Sequence, residues 1–286
     1  MTNTTQSPRP HLGIISDETG PSLDGCIAFA GEEGLDQIEI RMVDGIAPLS
    51  LTEAQAKDAN ARIRAAGLGV AGIATPLLKW EAPGKQAADQ GDQFGFSREG
   101  RSDDDLTEAC IRLADIFETR NLRIFSYLTH DGFVLDDLKP AFDRLLTFAV
   151  KHDKTLLLEN EPVCNIARFD QLADIIELYD TPHLQPLPDI GNSAAISEFP
   201  DADLMARVLG RAFHIHFKDA GADGKFVALG TGQVKLDAYM AAVAATGDCR
   251  QLSFSLETHT HDDPLGGSRI SARELRRQTD QYWPSI

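Results

Sequence analysis

The chain has 286 residues, 42% of them hydrophobic and 25% charged, with a formal net charge of −17. That length suits one large α/β unit with an extensive core, and the composition excludes a largely disordered or collagen-like chain. So acidic a surface repels phosphate backbones and argues against a nucleic-acid partner, while favouring solubility.

The polar opening stretch MTNTTQSPRP reads as a flexible tail over residues 1–9, followed by one domain over 10–286. From there, short apolar or β-branched runs alternate with amphipathic stretches. Strands are predicted at 10–15, 36–41, 69–74, 121–127, 154–160, 183–189, 212–218 and 251–257. Between them, the first helix, around 20–33, is weakened by its glycines. Thr52 with Gln55 three residues on predicts a capping box, and Gly67 a helix end. Ser102 opens the next helix, with Asp103, Asp104 and Asp105 favouring its positive end. Leu106, Cys110, Leu113 and Phe117 form its apolar stripe, and Leu172, Ile175, Ile176 and Tyr179 repeat the pattern. Ser271 with Glu274 predicts the cap of the last helix. Eight strand–helix repeats predict a (β/α)8 TIM barrel. An open doubly wound sheet is the rival, but the first turn, ISDETGP, lacks a glycine-rich fingerprint. The long connection over 75–101 falls after a strand, on the catalytic face of such a barrel, and reads equally as a substrate lid or a passive loop.

Cys26, Cys110, Cys164 and Cys249 show no CxxC or zinc-finger spacing. With no apolar run of membrane-spanning length and no signal-peptide pattern at the start, a reduced cytoplasmic protein without a membrane partner is expected.

The chemistry gathers at the last four strands. They read LLLENEP with Glu159, PLPDIGN with Asp189, FHIHFKD with His214 and His216, and FSLETH with Glu257. Strand alternation turns Phe213, Ile215 and Phe217 toward the helices, and His214, His216 and Lys218 into the barrel. The same rule turns Glu39, Arg41, Ser255 and Glu257 inward. Neighbouring strands lie about 4.8 Å apart, so ionised carboxylates on adjacent ends repel and raise one another's pKa. A divalent cation resolves this. The oxygen-rich donor set with one nitrogen suits Mn²⁺ first, with Mg²⁺, Co²⁺ and Zn²⁺ as alternatives.

These pieces, with GLDQIEIR at the second strand, resemble the sugar phosphate isomerase/epimerase superfamily, the xylose-isomerase-like barrels. The likeness runs from about residue 34 to 258 and does not specify a substrate. It implies metal ligation by Glu159, Asp189, His216 and Glu257, as in ketose 3-epimerases and inosose dehydratases. It also implies acid and base roles for Glu159 and Glu257. One departure is Asn192, where many relatives carry a histidine; an amide is a poor metal ligand, which weakens any multinuclear zinc site.

The resulting expectation is an isomerase or epimerase working on a ketose or keto-polyol through an enediolate. An inosose-type dehydratase or other lyase would share the first step. An apurinic-site endonuclease and a non-catalytic sugar-binding barrel, alone or in a homo-oligomer, are the remaining alternatives. Glu39, Arg41, Glu161, Asn192, His214 and Lys218 are candidate substrate contacts. For Lys218 the competing role is an ion pair with Asp219, Glu161 or another mouth carboxylate; for Glu39 and Arg41 it is a pair with each other. His259 and His261 read as rim residues, and Trp80 and Phe94 as covers for a sugar face or as packing.

Overall fold

A computed structural model describes residues 9–88, 91–247 and 252–284. The expected tail over 1–9 lies almost wholly outside them, as does Cys249. All eight predicted strands form, each trimmed to its apolar centre. They are β1 (His11–Ile15), β2 (Gln37–Ile40), β3 (Gly69–Ile73), β4 (Asn121–Ile124), β5 (Thr155–Glu159), β6 (Leu184–Leu187), β7 (His214–Phe217) and, last in the chain, β10 (Ser253–Leu256). Every pairing among them is parallel, in the order β6-β5-β4-β3-β2-β1-β10-β7.

The ring is nearly closed. Between β6 and β7 there is an isolated bridge at Asp189 and His216, where the His216 N–H donates to the Pro188 carbonyl at 3.0 Å. Proline explains the thin seam. The Pro188 carbonyl faces β7, so by strand alternation Pro186 faces it too, and neither has an N–H to offer. The seam therefore sits beside two of the chemistry-bearing strand ends.

The connections carry α1 (Leu23–Glu32), α2 (Glu53–Ala65), α3 (Asp103–Ile116), α4 (Lys139–Lys151), α5 (Phe169–Tyr179), α6 (Ile190–Ala195), α7 (Ala202–Leu209), α8 (Leu236–Ala244) and α9 (Pro264–Tyr282). Local sequence starts several of them as predicted. Thr52 and Gln55 form a capping box on α2, and Gly67 follows the helix at φ 78°. Ser102 and Asp105 do the same for α3. The cap predicted at Ser271 is wrong: α9 begins at Pro264 with Asp263 as its N-cap. Proline is pre-shaped for a first helical turn, so the start falls there, and the later Ser-x-x-Glu lies inside the helix. Ser271 instead donates to the Gly267 carbonyl and accepts from the Leu229 N–H.

Alternation holds along the strands. Ile38, Ile40, Ile215, Phe217, Phe254 and Leu256 are buried in one apolar cluster with the helices' inner faces. Burying each such side chain is worth roughly 1.5–3 kcal/mol, which fixes the register and drives the opposite, polar residues into the barrel. After β7 the chain makes a short antiparallel hairpin that the sequence did not announce, β8 (Asp219–Ala220) and β9 (Phe226–Val227). Its strands are too short to carry a period. No helix among the described residues is long and apolar enough to cross a membrane.

Candidate metal centre

Glu159 closes β5, Asp189 follows β6, His216 lies on β7 and Glu257 follows β10. Each offers one ligand atom, all four atoms lie within 4.8 Å of one another, and all four residues are buried. His216 Nδ1 is the focus. It lies 3.1 Å from Glu257 Oε2, 3.4 Å from Glu159 Oε1 and 3.9 Å from Asp189 Oδ2. Asp189 divides its work: Oδ1 caps α6 by accepting from the Asn192 N–H at 2.7 Å, and Oδ2 faces the cluster. Neither Asp189 Oδ2 nor Glu159 Oε2 has a hydrogen-bond donor in bonding geometry.

The electrostatics match that crowding. Burial pushes the Asp189 carboxyl up to about 8, with Lys218 opposing and Glu257 and Glu159 adding to the rise. Burial also works against the charges on Glu159 and Glu257. In Glu159 it is outweighed chiefly by Arg123, and in Glu257 by Lys218 and His216, which hold that carboxyl well below the usual range. His216 is raised well above an ordinary imidazole: burial opposes its charge, but Glu39, Glu257 and Glu159 prevail. In the bare cluster a proton on His216 partly neutralises the acids. A doubly charged ion would do so more fully, and the donor set of three carboxylates and one imidazole fits one.

Around this quartet the candidate contacts take distinct places. Glu39 accepts from His214 Nε2 at 2.8 Å and from His216 Nε2 at 3.0 Å, both through Oε2. In the neutral ring that bond keeps the proton on Nε2, so loss of the second proton bares the Nδ1 lone pair toward the quartet. His214 lies two residues deeper and reaches Glu39 only from below the quartet. The pairing of Glu39 with Arg41 does not form. Arg41 instead binds Asp17 at 2.9 Å, Glu18 at 2.6 Å and Glu257 at 2.8 Å. Lys218 lies 2.9 Å from Asp189 and 3.3 Å from Glu257, both mouth carboxylates. Asp219 is not its partner; that carboxylate gathers the N–H groups of Gly230, Gly232 and Val234. Glu161 pairs with Lys79 at 3.0 Å. The Asn192 amide donates to the Asn160 carbonyl at 2.9 Å and reaches Glu159 Oε1 at 3.5 Å.

Several neighbours were not singled out from the sequence. Arg123 on β4 lies 3.1 Å from Glu159 and 3.4 Å from Glu257, touching both glutamates. Its signal was available: in NLRIF a lone charge between apolar residues points inward by alternation. Asp17, Glu18 and Lys79 stand on loops, where no period betrays them. His259 is more than a rim residue, with Nε2 at 2.9 Å from Arg41 and 3.4 Å from Glu257. The long connection does come over the site: Phe94 packs its ring 4.3 Å from the Arg41 guanidinium and 6.0 Å from the His259 ring. Trp80 is buried, tilted against Phe96 with ring centres 6.3 Å apart, so packing accounts for it.

Against known proteins, residues 27–278 match the sequence profile described as the xylose isomerase-like TIM barrel. No curated protein sequence matches significantly. Solved structures match over nearly the whole chain. A xylose isomerase domain protein from Planctomyces limnophilus is 19% identical, with TM-score 0.71, covering 96% of this chain and 99% of that one. An L-ribulose 3-epimerase is 17% identical, with TM-score 0.71 and 96% coverage of both chains. An IOLI protein solved with a zinc atom is 15% identical, with TM-score 0.74, covering 96% and 99%. At these identities the likeness concerns the fold.

Proposed function

The chain belongs to the xylose isomerase-like TIM barrel family, and from that premise we propose that it is a divalent-metal-dependent isomerase or epimerase acting on a ketose or keto-polyol. The observation that carries the reading is the buried quartet, with one donor each from Glu159, Asp189, His216 and Glu257 within 4.8 Å. We assign these four as the ligands, with Mn²⁺ favoured by the three oxygen donors. The zinc in the IOLI structure makes zinc the first competitor to test.

When bound, the ion acts as a Lewis acid on adjacent carbonyl and hydroxyl oxygens of the substrate. The rest falls to side chains. Glu159 and Glu257 stand on strands separated in the ring by β6 and β7, and so reach a bound substrate from different sides. One glutamate takes the proton from the carbon beside the carbonyl, and the other returns one. Return to the opposite face inverts a centre; return to the neighbouring carbon interconverts ketose and aldose. Lys218 and Arg123, each in reach of a ligand carboxylate, donate hydrogen bonds to substrate oxygens. Glu39 holds the His216 ring in its ligating tautomer. Phe94 and its loop exclude water above Arg41. Three described cysteines, Cys26, Cys110 and Cys164, are buried free thiols, which supports our placing the protein in a reducing cytoplasm.

The test is proton exchange. Mn²⁺-loaded protein incubated with a panel of ketoses and inososes in D₂O should place deuterium on the carbon beside the carbonyl. Chelation should abolish the exchange and added Mn²⁺ restore it. Product analysis separates epimer, aldose and dehydrated ketone. Absence of exchange with Mn²⁺, Mg²⁺, Co²⁺ and Zn²⁺ across the panel would overturn the proposal. A stoichiometry of several zinc ions per chain would favour a hydrolase instead.

A further inference from the structure

Charge around the mouth is divided. The quartet's acids stand at the ends of β5, β6 and β10, with His216 on β7. Arg41, Lys79 and Arg123 instead line one cavity on the β2–β4 side, beneath the 75–101 connection, with Asp92 the one acid among the described residues of its lining. All three cations are buried. The Phe125 ring centre lies 4.8 Å from Lys79 Nζ and 4.8 Å from the Arg123 guanidinium carbon. Phe94 completes the wall, 4.3 Å from Arg41 and 5.9 Å from Lys79. In a chain of net charge −17, three buried cations sharing one cavity run against the molecule's average.

The three are not equally satisfied. Arg41 has strong bonds to Asp17, Glu18 and Glu257. Arg123 is held more loosely. Its Nη1 approaches Glu159 and Glu257 at 3.1 and 3.4 Å, while Nε and Nη2 reach only backbone carbonyls at 3.5 and 3.4 Å. Lys79 has Glu161 at 3.0 Å. If a metal ion occupies the quartet, as proposed above, it takes over the charge of the two glutamates that now balance Arg123. A buried guanidinium left under-compensated is unfavourable, and an arriving anion relieves it.

We infer that the substrate is a sugar acid or keto acid whose carboxylate docks between Arg123 and Lys79 in this cavity, with its carbonyl end directed at the quartet. The Arg123 fork matches a planar carboxylate. Phe125 and Phe94 keep the cations in place and shed water from them. A monoanion suits the cavity better than a phosphate dianion, because Glu159, Glu161 and Glu257 stay close to the same cations. The inference rests on metal occupying the quartet, but its readout is separate from turnover.

Isothermal titration of the Mn²⁺-loaded protein with erythronate and with erythritol, four-carbon compounds with and without the carboxylate, tests it. Erythronate should bind at least about tenfold more tightly, the scale of one charge-assisted hydrogen bond. Lys79→Met should erase most of that preference while moving erythritol affinity less than about twofold, and Arg123→Gln should erase most of the preference while also weakening erythritol. A preference that survives in both variants would mean that the metal alone holds the carboxylate, and would overturn the inference. Equal binding of the two compounds by wild type would overturn it too. Should Arg123→Gln fail to fold by circular dichroism, Lys79→Met decides. Exchange of neutral ketoses in D₂O without an erythronate preference would remove the carboxylate site and leave the isomerase reading standing. A preference that Lys79→Met abolishes, without exchange on any substrate, would support the carboxylate site and remove the proposed chemistry.

Discussion

The two halves of the barrel mouth are built from opposite materials. On the side of β5, β6, β7 and β10, three carboxylates crowd an imidazole, two of their oxygens meet a cation only outside hydrogen-bonding geometry, and Asp189 is pushed up to about 8 by burial. On the side of β2, β3 and β4, Arg41 and Arg123 are held in the charged state, their carboxylate neighbours outweighing burial. The first half sets one lysine, Lys218, and His216 against three crowded carboxylates, while the second is built around its own cations. The difference teaches where the metal ion we propose would be favoured most: at the half where three carboxylates converge. Arg41 and Arg123 reach across to Glu257, so each half also sets the charge of the other.

Removing a carboxylate from the metal half breaks the comparison most directly. Glu257→Gln keeps the shape of the side chain, but loses the charge facing His216, Lys218 and Arg41. Turnover at saturating Mn²⁺ should fall about 10²- to 10⁴-fold, the usual loss for a general acid or base. Circular dichroism should show an intact fold. A variant that keeps turnover within a few-fold of wild type would take Glu257 out of the chemistry.

Glu39→Gln probes the support beneath that half. The carboxylate takes both histidine Nε2–H groups and thereby aims His216 Nδ1 at the acids. Mn²⁺ affinity, measured by titration calorimetry, should drop about 10- to 100-fold, the usual effect of removing a bond that orients a ligand. Unchanged affinity would mean that the His216 ring is fixed by packing alone.

The metal half was the legible half, for a reason visible in particular residues. Glu159, Asp189 and Glu257 each end an apolar run, and a buried strand gains nothing from a terminal acid unless the acid has work to do. Period two turned His214 and His216 inward alike, and the family resemblance singled out His216. In the other half, Lys79 and Asp17 lie on loops, where position is set by tertiary packing, and Arg123 needed the same alternation rule applied to a strand with no acid at its end. The barrel itself was legible from eight apolar runs, while the thin β6–β7 seam required reading Pro186 and Pro188 as missing donors. The hairpin of β8 and β9 left no periodic signal. At Ser271 a capping pattern appeared where the helix was already under way, because Asp263 and Pro264 had started it.

The pH response sharpens the contrast with a smaller effect. In the metal-free chain Asp189 keeps its proton up to about pH 8, and His216 holds one well above the usual imidazole range. A metal ion must displace these protons, so Mn²⁺ affinity should rise with pH, by about tenfold per unit for each proton released. The Asp189 contribution should level off above about pH 8. Arg41 and Arg123 hold their charge throughout, so the cationic half adds no slope of its own. Calorimetry in buffers of different ionisation enthalpy counts the protons. An affinity flat from acid to alkaline pH would mean that the quartet is already deprotonated without metal.

The smallest effect belongs to the cover of the cationic half. Phe94 lies 4.3 Å from the Arg41 guanidinium but is not among the quartet's contacts, and its backbone sits at φ 47°, a strained region for any residue but glycine. Phe94→Gly is therefore a cleaner change than Phe94→Ala, since it removes the ring and relieves the strain together. A cation–π contact of this kind is worth about 0.5–2 kcal/mol, so losing it should raise KM by about twofold to thirtyfold. With the quartet untouched, kcat should stay near its wild-type value, and thermal stability should hold or rise slightly. If kcat fell as KM rose, on the scale of the Glu257 variant, the ring would be acting on the reacting half, and the two sides of the mouth would have to be treated as one.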